Sequence, residues 1–272
     1  MNAKSYSPRS VVSYVKEMRF IFAHYNDLSP RELTQKHIID YLIFIKQEHG
    51  VGRDKCRMTA QSCSFFYKHI FKSPFIVPHE FYPRKEFRLP EILTEEQILH
   101  VISTTQNQKH RLIISLLYGT GIRLGELRFL KMAHIDRQNL QIKVVCGKGA
   151  RDRFTLLPKN LLQDMETYFW LHRPKVYLFE GQIPSVPMND RSIQHAIRQS
   201  MIACGLGAFK FSAHSLRHTF ATHLLDQGND IHTIKELLGH SKIETTMVYL
   251  HLQKKKRATL CSPFDFLTNQ NE

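Results

Sequence analysis

Pro74, Pro78, Pro83 and Pro90 stand within residues 73–93, with Arg84, Lys85 and Arg88 among them. A proline inside a helix removes one hydrogen bond and clashes with the preceding turn, and it drives the residue before it toward extended backbone. No helix continues through such a stretch. It is read as an extended linker, 73–93, between a region 1–72 and a region 94–260, with 261–272 as a tail. At 272 residues the chain is long enough for two domains whose cores need no disulfide staple.

The first region reads as three helices. Pro8 suits a first helical position, and Val11, Val12, Val15, Met18, Phe22 and Tyr25 recur at helical spacing. A second helix over Thr34–Glu48 carries Ile38, Leu42 and Ile45 on one face and stops before Gly50. A third over Lys55–Phe71 is predicted to turn Cys63, Phe66 and Ile70 inward.

Beyond the linker, Thr94 and Gln97 form a capping-box pattern for the next helix, and Lys109–Tyr118 supplies another, closed by Gly119-Thr120-Gly121. A third helix is expected from Ile122. Leu140–Cys146 and Arg153–Leu157 read as a β-hairpin with Lys148 at its tip. Helices then follow over Lys159–His172, Asp190–Cys204, Ala213–Asp226, Ile231–Leu238 and Lys242–His251, the last capped by Ser241 with Glu244. The fold class is therefore mainly α with a small β-sheet: a helical N-terminal domain and a mixed α/β domain.

Charge narrows the partner. Thirty-eight Lys/Arg against 24 Asp/Glu give +14, spread as 15 against 9 up to residue 93 and 23 against 15 beyond it. A basic surface on both halves favours a polyanion, since Lys and Arg that neutralise phosphates release condensed counterions; a merely solvated basic surface is the alternative. Five cysteines (Cys56, Cys63, Cys146, Cys204, Cys261), odd in number and never spaced C-x-x-C, exclude a disulfide framework and a structural zinc knuckle. The longest apolar stretch, Leu112–Tyr118, falls far short of the roughly 20 residues of a membrane span, and charges interrupt every apolar run near the N-terminus. The expected location is cytoplasmic, nucleoid-associated in a bacterium, with no membrane partner.

Three segments carry residues suited to chemistry. Arg123 follows the glycine turn of Gly119–Leu127, placed where a helix N-terminus and a guanidinium fork meet an anion, with Glu126 one turn on to pair with it. His214 and Arg217 lie three apart on one helix face, opposite a stripe of Leu216, Phe220 and Leu224. His240 sits in the turn after Gly239, and Tyr249 follows it on the next helix. Singly, each has an ordinary structural reading: a glycine turn, an exposed polar face, a packed tyrosine. His214, His218 and His223 also raise a metal site, against which stands the lack of an H-E-x-x-H motif or a completing carboxylate or thiol cluster.

Together the residues suit phosphoryl transfer without a metal or other cofactor. Arg123 and Arg217 neutralise charge growing on the non-bridging oxygens, in place of Mg²⁺. The Tyr249 hydroxyl, with an ordinary pKa near ~10, must lose a proton to attack phosphorus, and His214 is the expected acceptor. Lys148, on its hairpin, is the candidate donor to the leaving oxygen.

In order and spacing, Gly119–Leu127, Gly147–Arg153, His214–Leu225 and Leu238–Tyr249 resemble the tyrosine recombinase (phage integrase) family, with its set of Arg, Lys, His-x-x-Arg, His and Tyr. The resemblance implies a helical core-binding domain, a catalytic domain and double-stranded DNA with specific recombination sites as partner. It implies attack by Tyr249 to form a 3′-phosphotyrosyl link and a free 5′-hydroxyl, with no ATP. Arg123, Arg217 and His240 would stabilise the transition state, and Lys148 and His214 would move protons. A homotetramer on two DNA sites would exchange strands through a Holliday junction, the tail Lys254–Leu267 docking on a neighbour. With no arm-type domain expected ahead of residue 8, the chain is similar to the compact Xer or integron integrases. Two other functions stay open at this point: a type IB topoisomerase-like enzyme sharing the chemistry, and a DNA-binding accessory protein or regulator that does not cleave.

Overall fold

A computed structural model describes residues 8–72, 90–145 and 152–252. Most of the expected linker, Lys148 at the hairpin tip and the tail Lys254–Leu267 lie outside the described residues. The chain divides into two units, Met1–Arg88 and Leu89–Glu272.

The first unit has three helices, α1 (Pro8–His24), α2 (Gln35–Gln47) and α3 (Arg53–His69). Thr34 opens α2: its hydroxyl accepts from the His37 N–H while the His37 ring nitrogen takes the Thr34 N–H at 3.0 Å, a capping box with histidine in the usual Glu/Gln place. Met18, Ile21, Ile38, Leu42, Ile45, Ala60, Cys63 and Tyr67 fill the core. A buried Glu17 carboxylate crosses it, bonded by the Thr59 hydroxyl at 2.8 Å and by Lys55. The α1 stripe is wider than its neighbours can cover. Val12 and Val15 therefore face outward, at 67% and 45% exposure, and Ile70, at the C-cap of α3, is 56% exposed against the inward expectation.

In the second unit, α4 (Glu95–Thr104) starts at the predicted Thr94 capping box and leads into α5 (Gln108–Thr120). The apolar run of α5 is its centre: Leu112, Ile113, Ile114, Leu116 and Leu117 are all buried, with α7 (Lys159–His172), α8 (Asp190–Ala203) and α9 (Ala213–Asp226) packed around them. A helix apolar on nearly every side has only this place to go. Gly121 ends α5 in the left-handed region at φ +63°, and a Cβ there would overlap the Phe220 ring at 2.3 Å.

The helix expected from Ile122 is the five-residue α6 (Leu124–Arg128), capped by Arg123. The sheet is antiparallel, in the order β1 (Ile135–Asp136), β2 (Gln141–Val144), β3 (Arg153–Leu156), with Ile142 opposite Thr155 and Val144 opposite Arg153. The hairpin strands match the expectation; β1, two residues long, is too short to leave a periodic signal. Buried Thr155 ties the sheet to α5 by donating to the Thr120 carbonyl at 2.7 Å. After α10 (Ile231–Leu238), the expected helix Lys242–His251 is instead α11 (Glu244–Met247) followed by a 3-10 turn, Val248–His251, and Ile243 rather than Ser241 holds the N-cap position. The run Thr245–Val248 is poor in helix formers, so tertiary contacts decide its course.

An ion pair joins α6, β3 and α10. Arg153 grips both oxygens of Glu126 at 2.8 Å and donates from Nε to the Leu237 carbonyl at 2.8 Å. Burial works to raise the Glu126 carboxyl, but hydrogen bonds from Arg153 and from the Arg123 N–H bring it down to about 2. A carboxyl held that low stabilises the fold above its unfolded pKa near 4.5, and the contribution is lost as pH falls toward 2. Urea unfolding of Glu126→Gln should show a loss of about 3 kcal/mol at neutral pH, at about 1.4 kcal/mol per pKa unit, and the gap to wild type should narrow below about pH 4.5. A gap that stays constant with pH would show that the carboxylate charge is not what binds these elements.

Candidate active site

Helix α10 ends with carbonyls that its own backbone cannot satisfy. Three arginines reach them. Arg153 donates to the Leu237 carbonyl at 2.8 Å, Arg217 to that of Leu238 at 2.6 Å and Arg123 to that of Gly239 at 3.1 Å. The negative end of a helix dipole favours this gathering of cations, and the Glu126 carboxylate, bonded to Arg123 at 2.9 Å as well as to Arg153, offsets part of their repulsion. Gly239 itself lies at φ +63°, with its Cα so near Arg153 that a Cβ would stand 2.7 Å from Cδ.

Arg217, on α9, is 5% exposed and also donates to the Gly121 carbonyl at 2.6 Å. Burial first, then the charge of Arg123, lowers its pKa to about 10, so it remains a cation at neutral pH. Its NH2 lies 3.1 Å from His240 Nε2, and His240 Nδ1 lies 2.9 Å from the Thr246 hydroxyl. Since a guanidinium only donates, Nε2 is the acceptor and Nδ1 carries the hydrogen to Thr246. Burial and the surrounding arginines hold the His240 pKa at about 4, consistent with that neutral ring.

Tyr249 is 1% exposed, packed with Phe220, Leu225, Ile234 and Leu238. Its ring stacks on that of His240 with centroids 6.4 Å apart. Burial raises the phenol pKa against the opposing charges of Arg217 and Arg123. The hydroxyl meets His218 Nδ1 at 3.0 Å. His214, expected as proton acceptor, is exposed on the first turn of α9, and its ring has no hydrogen-bond partner among the described residues.

Arg123, Arg217, His240 and Tyr249 thus converge from three separate stretches of the chain, His214 lies on the first turn of α9, and Lys148 is outside the described residues. The helix N-terminus invoked at Arg123 does not serve an anion, because α6 is five residues long and the Arg123 N–H is bonded to Glu126 at 2.7 Å. Arg153, His218 and Thr246 were not among the expected site residues. Arg153 sits at the end of the Gly147–Arg153 stretch and His218 beside Arg217, but neither position carries a periodicity that separates it from an ordinary polar residue. Among the described residues, no group of three His, Cys, Asp or Glu could hold a metal ion, and no helix is long and apolar enough to cross a membrane.

Comparison with known proteins places this arrangement. Residues 91–256 match the Phage integrase family and residues 1–76 its N-terminal SAM-like domain. A tyrosine recombinase of Pseudothermotoga lettingae is 30% identical over 267 residues, covering 94% of this chain and 92% of that protein. The crystal structure of XerA recombinase is similar over 100% of this chain and 95% of its own, at 26% identity and a TM-score of 0.58. The XerH site-specific recombinase bound to a palindromic difH substrate, in a post-cleavage complex, shares the fold at a TM-score of 0.73 and 18% identity, over 94% of this chain and 80% of its own. With the family matched over more than half its length and a relative 30% identical across nearly all of it, this chain belongs to the phage integrase family and is a tyrosine-type site-specific recombinase.

Proposed function

We propose that the chain cleaves and rejoins double-stranded DNA at specific recombination sites through a 3′-phosphotyrosyl intermediate and a Holliday junction, as a homotetramer on two sites. The observation that carries this reading is the convergence of Arg123 and Arg217 on the end of α10 beside Tyr249. A phosphodiester at that place meets two guanidinium forks while a phenol stands near enough to feel both charges. The XerH structure, solved on its DNA substrate after cleavage, supports DNA as the partner.

Tyr249 Oη attacks the scissile phosphorus. Negative charge grows on the non-bridging oxygens, and Arg123 and Arg217 neutralise it in a site already organised before the phosphate arrives. Fixed donors of this kind need no rearrangement as the charge develops. His240 holds the Arg217 guanidinium in place through Nε2 and packs against the phenol. His214, exposed one turn before Arg217 on the same face of α9, donates to the phosphate beside it. Lys148 supplies the proton to the departing 5′-oxygen. The phosphotyrosyl bond retains the energy of the phosphodiester, so resealing needs no ATP.

Covalent capture on a pool of nicked duplexes, with the sequence around the nick randomised, tests the reading and yields a substrate. Wild type should leave protein–DNA adducts that survive detergent; Tyr249→Phe should leave none while retaining DNA binding by gel shift. Absence of any wild-type adduct would reduce the protein to a binder, and relaxation of supercoils without a preferred sequence would favour topoisomerase-like chemistry. On a captured substrate, Arg123→Ala should slow cleavage by about 10²–10³-fold, the usual cost of one lost donor to a developing oxyanion. Binding should weaken steeply between about 50 and 200 mM salt, and a salt-independent affinity would contradict phosphate contacts as its source.

A further inference from the structure

The hydrogen bond between Tyr249 Oη and His218 Nδ1 has no part in the roles assigned above. We infer that His218, rather than His214, accepts the Tyr249 proton during DNA cleavage and returns it on resealing. This rests on the recombinase reading and deepens it.

The geometry is direct. Nδ1 lies 3.0 Å from the phenol oxygen, within the reach required of a general base, while His214 is exposed on the preceding turn. Both partners are held from both sides. His218 belongs to α9, where Arg217 is fixed by the Gly121 and Leu238 carbonyls, and Tyr249 is buried with its ring against His240. The charged and titratable groups around the pair are His214 and Arg217 on α9, Arg123 at the start of α6, and His240 in the turn before α11.

An imidazole accepts a proton only if it is neutral, and burial followed by the charges of His214 and Arg217 holds His218 at about 4. Such a ring is a weak base toward a free phenol. The phenol oxygen, however, becomes strongly acidic as it bonds to phosphorus, and an arriving phosphodiester anion makes a nearby imidazole more basic. Transfer is then downhill when attack occurs and uphill before it. The step balances: the Oη–P bond forms, the bond from phosphorus to the 5′-oxygen breaks with its electron pair on that oxygen, and the Oη proton moves to Nδ1. The 5′-oxygen takes its proton from the separate donor, and resealing runs each movement in reverse.

The decisive comparison uses a duplex recovered by covalent capture and two nucleophiles, tyrosine and 3,5-difluorotyrosine, at position 249. His218→Asn keeps a hydrogen-bond acceptor near Nδ1 but cannot take up a proton. With tyrosine, H218N should form adduct about 10²-fold more slowly than wild type while binding the duplex equally well. With the more acidic difluorotyrosine the deficit should shrink at least tenfold. An unchanged H218N rate, or an equal deficit with both nucleophiles, overturns the assignment, since a structural role would not depend on phenol acidity. A second readout needs no substitution at 218: in ¹⁵N-histidine spectra of the DNA-free chain, His218 Nδ1 should be unprotonated and should shift in Tyr249→Phe. A protonated Nδ1 overturns the inference even if H218N does not fold. If wild type captures no duplex, the recombinase reading falls first; if wild type captures and the His218 measurements fail, only this inference does.

Discussion

Three guanidinium groups end on three consecutive carbonyls, Leu237, Leu238 and Gly239, and the rest of the site is arranged around that contact. A helix C-terminus has unsatisfied acceptors and a partial negative charge, so it attracts cations that would otherwise repel one another. Glu126 completes the balance by bonding two of the three. Three arginines against one carboxylate leave this locus net positive. In the reaction proposed above, an incoming phosphodiester brings negative charge to it. Backbone acceptors hold the three cations together and aimed. Each guanidinium has five donors, and the contacts of Arg217 to Gly121, Leu238 and His240 use only part of them.

The same positive charge governs the imidazoles. His218 and His240 are both held near 4, first by burial and then by neighbouring cations, so both are neutral acceptors before a phosphate arrives. A neutral His240 takes a hydrogen bond from Arg217 and passes its own hydrogen to Thr246, which fixes the ring beside Tyr249. His218 Nδ1 meets the phenol at 3.0 Å. The Tyr249 phenol remains protonated and buried, and in the proposed reaction the arrival of a phosphate changes the charge of the environment that keeps it so.

Much of the fold was legible because its signals are local. Helices α7, α9 and α10 have the predicted limits, set by Gly239 and by the apolar spacing of their sequences, and Thr94 with Gln97 forms the expected capping box. The errors share a cause. Ile70 faces solvent because helical spacing marks an apolar face but does not say how wide a neighbour covers it. The segment after Ser241 turns from α-helix to 3-10 because Thr246 is bonded to His240 and Tyr249 is packed against α9 and α10, contacts invisible to a capping pattern. Strand β1 exists only because β2 lies beside it.

At the site, sequence alone determined the inventory: two arginines in their motifs, a histidine after Gly239 and a tyrosine nine residues further on, residue types whose order suffices to identify the family. Which histidine meets the phenol was decided by tertiary structure. His214 and His218 are one turn apart on α9 and chemically identical, and only the packing of the 3-10 turn against that helix brings Tyr249 to the second of them. The Arg123–Glu126 pair, three residues apart, was legible in the sequence, whereas the grip of Arg153 on Glu126 is a product of the fold, for the two lie on different elements and meet where α10 ends. Spacing along a chain specifies neighbours within one helix, whereas the pairing of side chains from separate elements is set by how those elements bury their apolar faces.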